Sequence, residues 1–337
     1  TCPCALALAV PTVQVVASGR LFKRGILLKT GSALERLARA DKVVFDKTGT
    51  LTRGRPELIE EGLDKNALEI AASMALSSRH PLSRALVRAA PAAKAASGVI
   101  ETPGCGLSLT TPEGEIRLGR RDWCGVAQKT TSGKPELWLL RPGHADVCFT
   151  FADALREDAL ETVATLKQQG LEPELLSGDR ESVVADVANA LAIENRQWEL
   201  LPADKVARLE GLKGQGQNPL MVGDGLNDAP ALAAASVSIS PSSAADIAQN
   251  AADIVFQGNK LAPVLEAYRT AKRADRLVKQ NIGFSFFYNA VTIPLAMAGY
   301  VSPLIAAIAL IVTSRVVIVN ALRLARKEEL IVSPWKP

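Results

Sequence analysis

The sequence predicts an α/β protein: a mostly parallel sheet with helices on both faces, an inserted lobe, and apolar helices flanking the whole. Three observations carry that prediction. Apolar, strand-like runs at Val43–Asp46, Val147–Phe151, Glu174–Ser177 and Pro219–Gly223 alternate with helical patterns, the order that a parallel sheet with crossover helices requires. Asp46, Ser177-Gly178-Asp179 and Gly223-Asp224 fall at the ends of three of these runs, where open parallel sheets place their ligands. Apolar stretches at residues 1–18 and 281–324 flank the block, and Lys and Arg bound them.

The first apolar stretch is shorter than the ~30 Å hydrocarbon core of a bilayer and reads as the later part of a membrane helix. Arg20, Lys23, Arg24 and Lys29 follow it at once, which marks a cytoplasmic end. The second stretch divides into Phe284–Met297 and Pro303–Leu322, joined by a short link. Lys272, Arg273, Arg276 and Lys279 precede it and Arg323, Arg326 and Lys327 follow, so both ends of this hairpin are expected on the cytoplasmic side. The block from about 20 to 275 is then cytoplasmic. Within it, residues 55–146 interrupt the strand-helix alternation and read as a separate lobe.

With 337 residues, 48% of them hydrophobic, the chain buries a sizeable core and has length for two or three domains. A net charge of +4 and 4% aromatics give no nucleic-acid surface, so no nucleic-acid partner is expected. Five cysteines, two of them separated by one residue and three scattered, make no disulfide framework and suit a reducing compartment for Cys105, Cys124 and Cys148. No signal peptide is visible and the first residue is not Met, so the natural start is expected upstream of Thr1.

The string Phe45-Asp46-Lys47-Thr48-Gly49-Thr50-Leu51-Thr52 sets one carboxylate at a strand end on a tight turn. A carboxylate attacks a terminal phosphate well when held in line, with cations and amide donors over the phosphate oxygens, and this turn supplies that setting. Asp224 and Asp228 converge on Asp46 in such a sheet, a costly gathering of charge that Mg²⁺ relieves.

Together with Gly223-Asp224-Gly225-Leu226-Asn227-Asp228 and Cys2-Pro3-Cys4, the string resembles the heavy-metal P-type ATPases, and within them the copper(I) pumps. The segment Leu118–Cys124 looks like the branch linked to cytochrome oxidase assembly. The resemblance covers essentially all of this chain, but only the second half of such a pump. It implies a haloacid dehalogenase-like phosphorylation domain at 19–54 and 147–262, an inserted α+β nucleotide-binding domain at 55–146 and a linker helix at 263–280. Transmembrane helices are implied in 1–18 and 281–324, with a cytoplasmic tail at 325–337. The actuator domain with its Thr-Gly-Glu loop and the earlier membrane helices would lie in the missing amino-terminal half. The expected setting is a multi-pass protein of a bacterial inner membrane, in contact with lipid, with a soluble metallochaperone as a partner.

By the same resemblance the chain uses ATP and Mg²⁺ and exports Cu⁺ through an aspartyl-phosphate at Asp46. Asp46, the Thr48 carbonyl and Asp224 would hold Mg²⁺, and Asn227 and Asp228 would order its waters. Lys205, Ser177 and the Gly178 amide would cover the phosphoryl oxygens, with Asp179 orienting Lys205. His80 and Pro81, in Ser77-Ser78-Arg79-His80-Pro81-Leu82, would lie against adenine, with Glu101, Gly104 and Gly106 around the base.

Cys-Pro-Cys in an apolar helix is hard to explain as structure, because Pro interrupts the hydrogen-bond ladder; as a thiolate pair it selects soft metals. Asn281, Tyr288, Asn289 and Pro294 reproduce the spacing that the copper(I) pumps carry in the next helix, so Cys2, Cys4, Tyr288, Asn289 and Ser314 are the expected cargo ligands. The last helix departs from that pattern. Leu310 stands where the pumps have a thioether, and Arg315 follows Ser314, although an Arg at mid-membrane costs at least ~2.5 kcal/mol. Zinc, cadmium and silver(I) remain as alternative cargoes. A soluble-type phosphohydrolase of the haloacid dehalogenase superfamily and a non-transporting pump remnant are the competing functions. Against the first, Thr48 stands two residues after Asp46, where the phosphatases carry an acid.

Overall fold

The computed structural model describes residues 4–59, 62–126, 134–224, 228–244 and 246–326. In chain order, α1 (Cys4–Phe22), β1 (Ile26–Leu28), α2 (Ser32–Arg39) and β2 (Lys42–Asp46) lead into the loop Lys47–Leu51. Next come β3 (Thr52–Leu58), α3 (Lys65–Ala75), α4 (Pro81–Ala89), β4 (Ile100–Thr102), β5 (Gly106–Thr111), β6 (Gly114–Gly119), β7 (Glu136–Leu140) and β8 (Val147–Leu155). They are followed by α5 (Ala159–Gln168), β9 (Glu172–Leu176), α6 (Glu181–Ala190), β10 (Asn195–Gln197), α7 (Pro202–Gly214) and β11 (Pro219–Val222). Finally α8 (Ala229–Ala234), β12 (Val237–Pro241), α9 (Asp246–Ala251) and β13 (Ile254–Phe256) precede two long helices, α10 (Ala262–Met297) and α11 (Pro303–Arg326).

Seven strands form one sheet in the order β1-β13-β12-β11-β2-β9-β10, all parallel except the edge strand β1. Strand alternation sends successive residues of β2 to opposite faces. Val43 and Phe45 enter a core with Leu34 and Leu37 of α2, Val163 of α5 and Tyr268 of α10. Val44 enters the opposite core with Leu209 and Leu212 of α7 and Leu232 of α8. Both faces are therefore covered, as a parallel sheet requires.

The second sheet, β3-β8-β7-β6-β5-β4, is antiparallel and closes its own core around Met74, Leu86, Leu118, Phe149 and Phe151. This corrects the expected placement of Val147–Phe151. An apolar run of that length carries no mark of parallel or antiparallel pairing, and β8 pairs with β3 and β7 in the lobe. The lobe's sheet thus runs from Thr52 to Leu155 and takes in both strands that join it to the parallel sheet.

The expected linker helix and the membrane helix after it are one continuous 36-residue helix, α10. Among the described residues, Pro303–Ala325 is long and apolar enough to cross a membrane, and Ala7–Phe22 is a shorter apolar helix. Arg20 on α1 donates to the Leu324 carbonyl of α11 at 2.7 Å and to Glu266 of α10 at 3.1 Å, tying the three helices at one level. The start of α10 is fixed from the parallel domain. Asp158 accepts from the Leu261 amide at 2.9 Å and the Ala262 amide at 2.7 Å, which satisfies two donors that a helix leaves open. Asp158→Ala should lower stability by about 1 kcal/mol, read as a drop of about 2–4 °C in the midpoint of a thermal melt.

Candidate active site at the end of the parallel sheet

β2 is flanked by β9 and β11 in a register that pairs Asp46 with Leu176 and Phe45 with Val222. The three strands therefore end level, and Asp46, Ser177 and Gly223-Asp224 emerge side by side. Asp46, Thr48, Ser177, Gly178, Asp179, Lys205, Asp224 and Asp228 line one cleft of about 290 Å³. Asn227 lies outside the described residues.

Lys205 occupies the first turn of α7, where a helix dipole disfavours a cation. The helix entry is held by Asp204, which accepts from the Leu201 amide at 2.8 Å. What compensates Lys205 is its surroundings: Nζ lies 2.5 Å from Asp46 and 2.7 Å from Asp228. Burial works to lower its pKa, but those two carboxylates prevail and raise it above the ordinary lysine value.

Asp46, Asp224 and Asp228 bring carboxylate oxygens within 4.8 Å of one another. Burial, then the neighbouring Asp228 and, more weakly, Asp224, push Asp46 up to about 7 despite Lys205. Burial and Asp228 likewise push Asp224 up to about 6, against the pull of Arg156. Three buried or half-buried carboxylates against one ammonium leave negative charge in excess. Hard oxygen donors with that charge fit a divalent cation such as Mg²⁺.

The loop Lys47–Leu51 wraps closely around Asp224. Gly49 has φ +71°, and a Cβ there would stand 1.6 Å from an Asp224 carboxylate oxygen, so neither the backbone nor the space admits another residue. Two side chains hold the loop. The Thr52 hydroxyl accepts from the Gly49 amide at 3.1 Å, and it lies 3.0 Å from the Lys47 carbonyl and 2.5 Å from Asp153. Buried Arg156 donates to the Thr50 carbonyl at 2.7 Å and the Gly49 carbonyl at 2.5 Å.

Asp179 corrects one expectation: it pairs with Lys47 at 2.7 Å, not with Lys205. The Ser177 hydroxyl donates to Asp179 at 3.1 Å and accepts from the Asp179 amide at 3.2 Å. Sequence reasoning missed Arg156 and Lys47. The signal for Arg156 was its position directly after β8; Lys47 was in view within the motif but was given no partner.

In the antiparallel lobe, Ser78 joins two of the expected nucleotide residues. Its hydroxyl donates to Glu101 at 2.6 Å and accepts from the His80 amide at 3.1 Å. His80 uses Nδ1 to accept from the Leu82 amide at 3.3 Å, capping α4, and Pro81 is that helix's first residue. Gly104 turns the β4–β5 hairpin with φ +74°. Gly106 has a packing reason of its own, since a Cβ there would stand 2.7 Å from the Trp123 ring. A cleft of about 320 Å³ beside Pro81, lined by Arg55, Arg79, Arg84 and Arg88, was not anticipated; guanidinium groups so placed suit phosphate oxygens.

Of the expected cargo ligands, Cys2 lies outside the described residues, and Cys4 is placed only by its backbone at the start of α1. Tyr288 and Asn289 lie on α10 and Ser314 on α11, all half-buried. Asn289 donates to the Ser285 carbonyl at 2.9 Å. One turn or more toward the basic end, Asn281 donates to the Ala9 carbonyl of α1 at 3.4 Å and accepts from Asn320 of α11 at 2.8 Å.

A parallel sheet ending in an Asp-Lys-Asp cluster, with an antiparallel lobe inserted after β2, defines a class. Residues 41–236 match the haloacid dehalogenase-like hydrolase family. The chain belongs to that family and, within it, to the heavy-metal P-type ATPases. It is 47% identical over 330 residues to the nitrogen fixation protein FixI of Rhizobium leguminosarum bv. viciae, covering 96% of this chain and 43% of that protein. It is 39% identical over 342 residues to the probable copper-transporting ATPase SynA of Synechococcus sp., covering 95% of this chain and 43% of SynA. The chain thus spans less than half the length of these relatives.

Among solved structures, a zinc-transporting PIB-type ATPase in its E2.Pi state superposes with a TM-score of 0.85 at 28% identity, covering 96% of this chain and 56% of that one. The catalytic domain of the CPx-ATPase CopB-B gives a TM-score of 0.61 at 30% identity, covering 75% of this chain and 98% of the domain.

Two predictions follow from the packing. Gly49→Ala should destabilise by more than ~1 kcal/mol in denaturant titration, and more than Gly170→Ala, which shares a positive φ of +89° but has open space at the Cβ position. Burial raises the Cys124 and Cys148 thiols to about 11. Their thiolates form only as pH approaches that value, so at pH 8 both should alkylate roughly a hundredfold more slowly than free cysteine, read by mass spectrometry.

Proposed function

We propose that the chain is the phosphorylation, nucleotide-binding and carboxy-terminal membrane portion of an ATP-driven exporter of a soft metal cation, with Cu(I) as cargo. The observation that carries the reading is the Lys205 ammonium held between Asp46 and Asp228 at the end of the parallel sheet. In this reading an Asp46 carboxylate oxygen bonds to the γ-phosphorus of ATP while the bond to the β–γ bridging oxygen breaks, and ADP leaves with that oxygen. Lys205 offsets charge on the transferring group, and the Ser177 hydroxyl and Gly178 amide cover its oxygens. Asp46, Asp224 and the Thr48 carbonyl would hold Mg²⁺, which when bound neutralises phosphate charge. Asn227 and Asp228 would order its waters.

Thr48 lines the cleft two residues beyond Asp46, and a hydroxyl there does not protonate a leaving group as a carboxylic acid would. That supports a long-lived phosphoenzyme over a phosphohydrolase. ATP would enter from the antiparallel lobe, with adenine near His80, Pro81 and Glu101 and close to the Gly104–Gly106 turn.

Large apolar side chains stand outward on the two long helices: Phe286, Phe287 and Leu304 are at least 70% exposed, as lipid-facing residues are. The basic residues before α10's apolar part and at the end of α11 put the parallel domain and its lobe on the cytoplasmic side. Cys2, Cys4, Tyr288, Asn289 and Ser314 would bind the cargo. The Asn281, Tyr288, Asn289, Pro294 spacing and the likeness to SynA support copper; likeness to a zinc pump speaks to shared architecture. A metallochaperone would deliver the ion.

Two outcomes are expected. Asp46→Asn should abolish acid-stable, hydroxylamine-labile label from γ-labelled ATP, and Lys205→Met should slow its formation about a hundredfold or more; label that persists in Asp46→Asn sinks the assignment. In the full-length protein, ATPase activity should rise with Cu(I) and not with Zn²⁺, and Cys4→Ser should remove the rise; stimulation by zinc alone overturns the choice of metal.

A further inference from the structure

Arg315 has no role in the reading above and sits on a helix long and apolar enough to cross a membrane. The buried face of α11 consists of Thr313, Val317, Ala321 and Leu324, and Arg315 lies off it, exposed. Arg315 instead lines a cleft of about 570 Å³ between α10 and α11, shared with Phe284, Val316, Asn320 and Arg323. Among the described residues Arg315 makes no hydrogen bond or ion pair, and the lining carries no carboxylate.

The level of this cleft can be read from its amides. Asn320 donates to Asn281 at 2.8 Å, and Arg323 donates to Asn320 at 3.0 Å. Asn281 stands two residues after Lys279, where the basic run ends, so this amide row marks the cytoplasmic boundary of the apolar segment. Arg315 is five residues deeper than Asn320, about 7–8 Å along the axis, within the range over which a long cationic side chain reaches back toward the headgroups. The cleft thus has Arg323 and amides at its boundary end, an apolar wall of Phe284 and Val316 below them, and Arg315 at the level of that wall, on a side chain long enough to reach toward the boundary. Free phosphate would use the first half only; a phospholipid uses both.

We propose that this cleft binds an anionic phospholipid, with the headgroup phosphate between Arg315 and Arg323 and an acyl chain along Phe284 and Val316. The inference rests on the membrane placement given above. Basic pockets between helices on the cytoplasmic side are where anionic headgroups are held. It also gives Arg315 a counter-charge away from the α1 side of the helix, so its cation need not stand against a cation path.

The test uses the full-length protein in nanodiscs with equal phosphatidylglycerol and phosphatidylcholine, released into a native mass spectrometer. Retention of phosphatidylglycerol over phosphatidylcholine is expected. Arg315→Gln and Arg323→Gln should each lower that retention about fivefold, while Arg315→Lys and Lys23→Gln leave most of it. Equal retention of the two lipids, or no effect of either Gln variant, overturns the proposal. So does complete displacement of the bound lipid by excess inorganic phosphate, or cross-linking of upstream chain from Arg315→Cys. Extraction of the protein from membranes by alkaline carbonate would overturn the membrane placement itself, and the lipid site with it, which separates the two failures.

Discussion

The contact on which the site depends is the Lys205 ammonium between Asp46 and Asp228. Three parallel strands ending level bring carboxylates together that water would keep apart. Two of them are pushed up by burial, the direction expected when ionised groups lose solvent faster than they gain counter-charge. Lys205 supplies part of that counter-charge from an unfavourable place, the first turn of α7. A helix start and a lysine are poorly matched for stability, so the pairing is understood through what it faces: the Asp46 carboxylate, the acceptor in the proposed reaction, and the space where phosphoryl oxygens would lie.

In the proposed reaction Asp46 can serve as acceptor only if the loop after it keeps its shape. Gly49 lets the chain pass against Asp224, and Thr52 and Arg156 hold the loop's amide and carbonyls from the far side. Arg156 follows β8, the strand by which the antiparallel lobe returns to the parallel domain. The side chain that braces the loop after Asp46 therefore also stands where the lobe that would carry the nucleotide rejoins the parallel domain. Charge, loop geometry and lobe position meet within a few residues.

Much of this was legible in the sequence because it is written locally. A strand-end Asp, a Gly that only one backbone conformation explains, and the recurrence of acidic or Gly turns after apolar runs all lie within short windows. Asp46, Ser177 and Asp224 are placed on one edge for that reason, whereas Lys205 enters only through the family resemblance. The assignment of Val147–Phe151 to the parallel sheet failed because alternation and apolarity say nothing about which strand will be the neighbour. The partner of Asp179 was missed for the same reason: Lys47 and Lys205 are both cations near the same strand ends, and only the fold decides which one comes within 2.7 Å. The arginine-lined cleft beside Pro81 draws Arg55 from β3 and Arg79, Arg84 and Arg88 from around α4, a set that no single window displays.

Two residues after Arg156, Asp158 caps α10 through the Leu261 and Ala262 amides. One short segment thus holds the acceptor loop at one end and the start of a 36-residue helix at the other. Such a helix is ~54 Å long and transmits displacement of its first turn along its axis with little loss, because its hydrogen-bond ladder resists compression. Midway, Asn281 of the same helix touches the Ala9 carbonyl of α1, five residues beyond Cys4, and joins α11 through Asn320. A change in loop geometry on phosphorylation that moves Asp158 must either carry α10 with it or break two capping hydrogen bonds. Moving α10 in turn strains the Asn281 contact with α1, the helix that begins at Cys4. In the proposed reaction, a shift of the loop after Asp46 would therefore reach α1 through Asp158, the start of α10 and Asn281, an unbroken series of contacts between the two ends.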